Sequence, residues 1–250
     1  MDIVINISVF AFGAILGSFF NVVIFRLPRK YSITHGTSFC PHCKHRIMPL
    51  ELVPILSYLF LKGKCAHCHA PISIRYPIIE FITGLSFLFS YLRFGLSYAS
   101  IIAMILASLC IIIAMIDIDT MEIFDRFHLM IFALALVHVL FISQLDIVSH
   151  LIGFFIISIP LYVIAVITNG IGGGDIKLMA VSGFLLGYQA TLVAFFFGAV
   201  FGGMVAVYLL LTKQTQMKSL MAFGPYLCIG IYIAYLYGMD IFTWYMSLLT

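Results

Sequence analysis

Charge is scarce in this sequence. Only 9% of its 250 residues are Asp, Glu, Lys or Arg, while 63% are hydrophobic, and the mean hydropathy is +1.16. Soluble domains carry about 25% charged residues, so a soluble globular fold is excluded. The sequence also lacks the short alternating apolar and polar segments of a transmembrane barrel, because its apolar runs are continuous. It therefore predicts an all-α fold, a polytopic transmembrane helix bundle.

The first apolar run, residues 3–25, lacks the features of a secretory signal. Asp2 precedes it where a basic residue is expected, no small-x-small cleavage site follows, and the run is longer than a typical signal core. We predict a retained first span. Because a helix needs about 20 apolar residues to cross a bilayer, we expect about eight spans in all, the others near residues 77–94, 97–116, 127–143, 147–168, 176–188, 190–211 and 221–246.

Basic residues are concentrated in one loop. Residues 26–76 hold eight of the 13 Lys and Arg and a single acid, Glu51. Since basic loops stay on the cytoplasmic side, this loop is predicted to be cytoplasmic. Eight spans then place four more basic residues on that side: Arg126, Lys177, Lys213 and Lys218. Arg93 alone lies outside, so the net charge of +3 reflects topology in the lipid bilayer and requires no nucleic acid partner.

The same loop contains four of the six cysteines, as two CxxC pairs, Cys40–Cys43 and Cys65–Cys68. Two such pairs at this separation are typical of a zinc ribbon, in which four thiolates complete a closed tetrahedral site. Two disulfides are the alternative, but a cytosolic loop is kept reduced. A histidine could also replace one cysteine, although two complete pairs favour four thiolates. We expect structural zinc, with three regions: a first span at 1–25, a zinc-binding loop domain at 26–76 and a transmembrane domain at 77–250.

Five of the ten acids gather at one predicted membrane face: Asp117, Asp119, Glu122, Asp125 and Asp175. An ionisable group at a span end that points into a bundle is a functional candidate. Glu122 and Asp125 lie farther out and are interpreted as solvated helix ends. Asp175 follows three glycines, and Gly172 and Gly174 would let the backbone approach closely and adopt conformations that other residues avoid. Asp117 and Asp175 are therefore the strongest candidates.

Two neighbouring aspartates share a proton, and a water between them is deprotonated by one and assisted by the other. This chemistry predicts an aspartic peptidase. Asp117 and Asp119 point about 200° apart on a helix, so only one can face Asp175, and Asp117 is the deeper. The main alternative is a transporter whose carboxylates carry protons or cations and whose zinc loop is regulatory. Its site would lie near the bilayer midplane. A non-catalytic assembly scaffold is the second alternative.

Several segments resemble the type IV prepilin peptidases, in particular the competence-type enzymes of Gram-positive bacteria. The resemblance covers nearly the whole chain and includes both CxxC pairs, GSFFNVVIFRLP at 17–28, RYPIIE at 75–80 and GGGDIKL at 172–178. In this family the first catalytic Asp lies eight residues before an Asp or Asn. That spacing implies Asp117, with Asp125 as the trailing residue. Phe124 stands where the family usually has proline.

The resemblance implies that the enzyme cleaves type IV prepilin-like precursors, such as competence pseudopilins, after a glycine at the cytoplasmic face of the plasma membrane. It also implies methylation of the new N-terminus with S-adenosylmethionine, although no glycine-rich nucleotide fingerprint marks a site for that donor. Glu80 is expected to face the substrate's basic leader or the methyl-transfer site, or else to be solvated. Lys177 either stabilises charge in the aspartate pair or marks the cytoplasmic side.

Overall fold

A computed structural model describes residues 2–33, 38–40, 42–168, 170–212 and 221–249, without the side chain of Asp2. The predicted all-α class is confirmed: the described residues contain helices and no strand, only two isolated β-bridges. Lys213 and Lys218, used in the topology prediction, lie outside the described residues. The chain divides into two compact units, residues 1–96 and 97–250.

The first unit contains two long helices and a loop with short helical turns. Its elements are α1 (Asp2–Arg26), a 3-10 turn (Pro49–Leu52), α2 (Leu56–Phe60) and α3 (Arg75–Phe94). Glycines let α1 and α3 pack closely: a Cβ added at Gly17 would lie 2.8 Å from the Cα of Glu80, and one at Gly13 would lie 2.9 Å from that of Gly84. The two helices therefore run antiparallel, with the loop between them at one end.

The described residues of the second unit form seven helices. They are α4 (Tyr98–Thr120), α5 (Asp125–Phe141), α6 (Ile147–Ile156), α7 (Ser158–Thr168), α8 (Gly173–Leu186), α9 (Tyr188–Leu211) and α10 (Gly224–Ser247). The short α8 is central, because it packs against α5, α6, α7, α9 and α10. Glycines again allow close approach: Gly153 of α6 and Gly183 of α8 meet backbone to backbone with no room for a side chain on either. A residue at the start of α8 is thus surrounded by helices.

Every predicted span coincides with a helix or, for residues 147–168, with the consecutive helices α6 and α7. Within the described part of the chain, six segments are long and apolar enough to cross a membrane: Ile3–Arg26, Arg75–Phe94, Tyr98–Thr120, Ile147–Thr168, Tyr188–Leu211 and Gly224–Ser247. The helices α5 and α8 have 17 and 14 residues, fewer than the roughly 20 of a perpendicular span. The protein is therefore built as a multi-pass membrane bundle.

Candidate active site

Asp117 lies in the last turn of α4, and its side chain is only 5% exposed. Met121 ends the helix in the left-handed region (φ 54°), and its N–H donates to the Asp117 carbonyl at 2.8 Å. Asp119, two residues further on, is exposed. The opposite orientation of the two side chains follows from helical geometry, and it leaves Asp117 as the carboxylate inside the bundle.

The Asp117 carboxylate meets the N-terminus of α10. The backbone N–H of Gly224, the first residue of that helix, donates to Asp117 Oδ2 at 3.0 Å. The first N–H groups of a helix have no partner within it, and their partial positive charge stabilises an anion. A Cβ at position 224 would lie 2.7 Å from that oxygen. A side chain at 224 would therefore displace the carboxylate or the start of α10. The sequence gives one signal of this helix start, Pro225, which lies in the first turn where proline is favoured.

Asp175 occupies the first turn of α8 and is 8% exposed. Its carboxylate lies close to Gly172: a Cβ added at that glycine would be 3.3 Å from Asp175 Oδ2. A Cβ at Gly174 would lie 3.0 Å from Ile123 Cβ, whereas Gly173 faces open space. None of the three glycines has a positive φ. Their contribution is therefore space beside the aspartate, and the expectation of unusual backbone conformations is wrong.

Both aspartates line one cavity of about 260 Å³. The rest of its wall is the turn between α4 and α5, residues 121–124, and the three glycines at 172–174. A larger groove of about 480 Å³ lies on α6 and α7, but its lining is entirely apolar. The aspartate cavity thus combines two buried carboxylates at helix ends with the exposed Glu122 at its wall. A transporter site is expected at the middle of a span instead.

Two polar contacts tie the beginning of α5 to the beginning of α8. The Lys177 ammonium donates to Asp125 Oδ1 at 2.7 Å, and this hydrogen bond lowers the pKa of the exposed Asp125 carboxyl. The buried His128 ring places Nε2 3.0 Å from the Gly174 carbonyl, so Nε2 carries the proton and donates. Lys177 therefore contacts Asp125 and fixes the segment that carries Asp175. His128 was missed, because no spacing links it to residue 174.

Phe124 is the N-cap of α5, with φ −71° and ψ 135°. These angles are ones that proline adopts, since its ring fixes φ near −65°. Phe124 also lines the aspartate cavity. The turn therefore keeps a proline-like backbone although the residue is phenylalanine.

The four cysteines Cys40, Cys43, Cys65 and Cys68 form one cluster, with their ligand atoms within 4.8 Å of one another and no disulfide. Both pairs make the same turn: the N–H of Cys40 donates to His45 O and that of Cys65 to Ala70 O, each at 2.9 Å. Tetrahedral zinc with bonds of about 2.3 Å separates its sulfurs by about 3.8 Å. The 3.8 Å between the Cys40 and Cys68 sulfurs matches, so the cluster can bind a metal.

The electrostatics of this cluster favour a thiolate at Cys40, whereas desolvation and the neighbouring thiols raise the pKa of the Cys43 thiol to about 11. Backbone N–H groups of Cys43 and His42 lower the pKa of the Cys40 thiol to about 6. Metals bind thiolates and not thiols. The backbone of the turn therefore prepares at least one sulfur for metal binding.

Glu80 lies within α3 and is buried. Its Oε2 accepts a hydrogen bond from the Ile55 N–H at 2.7 Å, and the Ser18 side chain bonds to the same carboxylate. Asn21 bridges the two helices in a similar way by donating to the Tyr76 carbonyl at 3.3 Å. A buried, bonded Glu80 does not fit the solvated side chain that was the alternative.

Fold and site together define a multi-pass helical membrane protein with a buried pair of aspartates facing one cavity. The model of the bacterial peptidase A24 N-terminal domain matches residues 11–94, and that of the type IV leader peptidase family matches residues 104–207. Each match falls within one of the two units. The chain belongs to the type IV leader peptidase family, which confirms the resemblance seen in the sequence.

Similar proteins include three that are named prepilin leader peptidase/N-methyltransferase. That of Bacillus subtilis (strain 168) is 41% identical over 96% of this chain and 97% of its own length. The Aeromonas hydrophila protein is 31% identical over 96% and 93%, and the Neisseria gonorrhoeae protein is 31% identical over 89% and 87%. No solved structure matches the chain. The protein is thus a membrane peptidase of a family whose members are named as both leader peptidase and N-methyltransferase.

Proposed function

We propose that this protein cleaves the leader from type IV prepilin-like precursors, including competence pseudopilins, with Asp117 and Asp175 as its catalytic pair. The observation that carries the proposal is the cavity lined by both buried carboxylates in a chain of the leader peptidase family. Peptide hydrolysis needs one group to deprotonate water and another to protonate the amide, and a carboxylate pair supplies both.

The two acids differ in their surroundings, and this difference assigns their roles. The Gly224 N–H and the N-terminus of α10 favour negative charge on Asp117, so Asp117 is the general base. It takes a proton from a water molecule, whose oxygen attacks the scissile carbonyl carbon. Asp175 holds the proton that the pair shares and donates it to the carbonyl oxygen. The tetrahedral intermediate then collapses: Asp117 gives its proton to the departing nitrogen, Asp175 takes a proton back from one hydroxyl of the intermediate, and the C–N bond breaks.

The remaining residues position this pair. Gly172 and Gly174 give the substrate backbone access beside Asp175, and Lys177 supports the site through Asp125. His128 holds the Gly174 carbonyl and so fixes the turn that precedes Asp175.

The second activity is methylation of the new N-terminus with S-adenosylmethionine, as in the names of the relatives. Glu80 is the candidate supporting residue for the basic leader or for methyl transfer, because it is a buried carboxylate bonded to the loop at Ile55. The prediction is that Glu80→Gln lowers methylation and leaves cleavage intact. Mass spectrometry of the processed pilin separates the two activities.

We assign zinc to the cysteine cluster and the catalytic face to the cytoplasm. The zinc assignment rests on four free thiols within 4.8 Å of one another, one pair of which is at the tetrahedral separation of 3.8 Å. Zinc there is structural and holds together the loop domain at 26–76. The cytoplasmic assignment rests on the basic residues of that loop, and the membrane is the plasma membrane. The peptidase domain then extends over 77–250.

The experiment that tests the catalytic pair uses three matched variants. Asp117→Asn and Asp175→Asn each abolish processing of a co-expressed prepilin, because an amide can neither take nor give the proton. Asp119→Asn, an equal change at the exposed position two residues away, retains most of the activity. Normal processing by either of the first two variants removes the pair from the mechanism. The transporter alternative has no comparable support, since the family assignment favours the peptidase.

A further inference from the structure

Part of the cysteine loop exposes an unusual run of apolar side chains. Residues 48–60 comprise the 3-10 turn, α2 and the short connections around them. Leu50 is 84% exposed and Phe60 82% exposed. The other exposed apolar side chains of the segment are Met48, Leu52, Val53, Leu56 and Leu59. Exposed apolar side chains this closely spaced along a basic loop mark a site of contact with a partner or a membrane.

The segment is attached to the side of a helix that can span the membrane. Ile55, between the 3-10 turn and α2, donates its N–H to Glu80 Oε2 at 2.7 Å. Glu80 is five residues beyond Arg75, where α3 begins, which is about 7.5 Å along the helix axis at 1.5 Å per residue. This hydrogen bond therefore holds the middle of the segment beside α3, one to two turns in from its end. That depth corresponds to the boundary between lipid headgroups and acyl chains.

Exposed basic residues flank the segment on both sides. Lys44 and Arg46 precede it, and Lys62 and Lys64 follow it. The segment contains one acid, Glu51, and its carboxylate accepts the Met48 N–H at 2.8 Å, so this charge is used locally. An apolar surface bordered by lysine and arginine is complementary to a membrane whose headgroups are anionic. A soluble protein partner would not need cations at both borders.

We propose that residues 48–60 lie in the plane of the bilayer surface, with Leu50, Leu59 and Phe60 inserted among the acyl chains. The partner is the leaflet at the Arg26 end of α1 and the Arg75 end of α3. The flanking basic side chains contact anionic headgroups. The cysteine cluster is thereby held against the membrane surface, because Cys43 closely precedes the segment and Cys65 closely follows it. This membrane contact is independent of the catalytic assignment, because it rests on residues of the first unit alone.

Tryptophan fluorescence offers a direct test, because Trp244 is the only tryptophan in the chain. Trp244→Phe provides a silent background for two reporters, Phe60→Trp and Leu50→Trp, both at exposed positions that tolerate the change. The full chain is reconstituted in vesicles that contain phosphatidylglycerol and lipids brominated near the carbonyl end of the acyl chain. Phe19→Trp, on the exposed side of α1, is the membrane reference, and free N-acetyltryptophanamide in the same buffer is the aqueous reference.

The expected result is that both reporters are quenched by the brominated lipids as strongly as Phe19→Trp and are protected from acrylamide relative to free N-acetyltryptophanamide. Replacing Lys62 and Lys64 by glutamine lowers the quenching in anionic vesicles only. Reporter fluorescence that acrylamide quenches and brominated lipid does not quench overturns the proposal. So does shielding of the reporters only after a prepilin peptide is added, because the surface would then belong to the substrate.

Discussion

Gly224→Ala is the most discriminating substitution outside the two aspartates. The added Cβ would lie 2.7 Å from Asp117 Oδ2, whereas ordinary van der Waals contact begins at 3.4 Å. The carboxylate or the start of α10 must therefore move by about 0.7 Å, and the hydrogen bond from the residue 224 N–H is distorted. A misplacement of 1 Å in a catalytic group reduces rates by about 100-fold. We expect kcat/KM for prepilin cleavage to fall between about 10- and 100-fold, or about 1.4 to 2.7 kcal/mol.

Gly203→Ala is the matched control. A Cβ at Gly203, on the exposed surface of α9, meets nothing within 4 Å. Activity therefore stays within about twofold, and the higher helix propensity of alanine stabilises the protein by at most about 1 kcal/mol. The assay is the initial rate of cleavage of a purified prepilin by reconstituted enzyme, with thermal unfolding of both variants in parallel. A Gly224→Ala enzyme that is folded and as active as Gly203→Ala would refute the contact between α10 and Asp117.

Three further predictions follow from local geometry. Gly174→Ala lowers cleavage about tenfold, because its Cβ would lie 3.0 Å from that of Ile123. Gly203→Ala again serves as the control, and equal rates for the two variants would contradict this prediction. Phe124→Pro remains active and gains at most about 1 kcal/mol in unfolding free energy, because φ at this position is already −71°. Denaturant titration measures this change, and a loss of folding would show that the turn needs the phenyl ring. Cys40→Ser, alone or with Cys65→Ser, removes the zinc found by elemental analysis of the purified protein; an absence of metal in the parent protein would exclude the zinc site.

The helices were predictable because their apolar runs are long and bounded by polar residues. Even the short α8 was expected, as a 176–188 span, because the glycines at 172–174 and Asp175 interrupt the apolar pattern before it. The break between α6 and α7 at Ile157 was not expected within the 147–168 span. Pro160, three residues further on, is the local signal, since proline removes a hydrogen bond from the preceding turn.

Long-range contacts of the site were beyond sequence reasoning. Asp117 could be preferred to Asp119 from helix periodicity, but its hydrogen bond to Gly224 joins residues 107 positions apart. The contact of His128 with the Gly174 carbonyl depends in the same way on how α5 and α8 pack. The cysteine cluster was predictable because each CxxC turn is local. The attachment of Ile55 to Glu80 was not, because a backbone N–H leaves no trace in a sequence.

The central claim is that Asp117 and Asp175 act together on the peptide bond that joins a leader to a pilin. Mass spectrometry of the N-terminus of a co-expressed prepilin tests it most directly, because cleavage point and methylation are read from one spectrum. With the unaltered enzyme, we predict a pilin that begins immediately after the leader's glycine and carries an added methyl group. With Asp175→Asn or Asp117→Asn, we predict the full-length precursor. A correctly cleaved pilin from either variant would contradict the account.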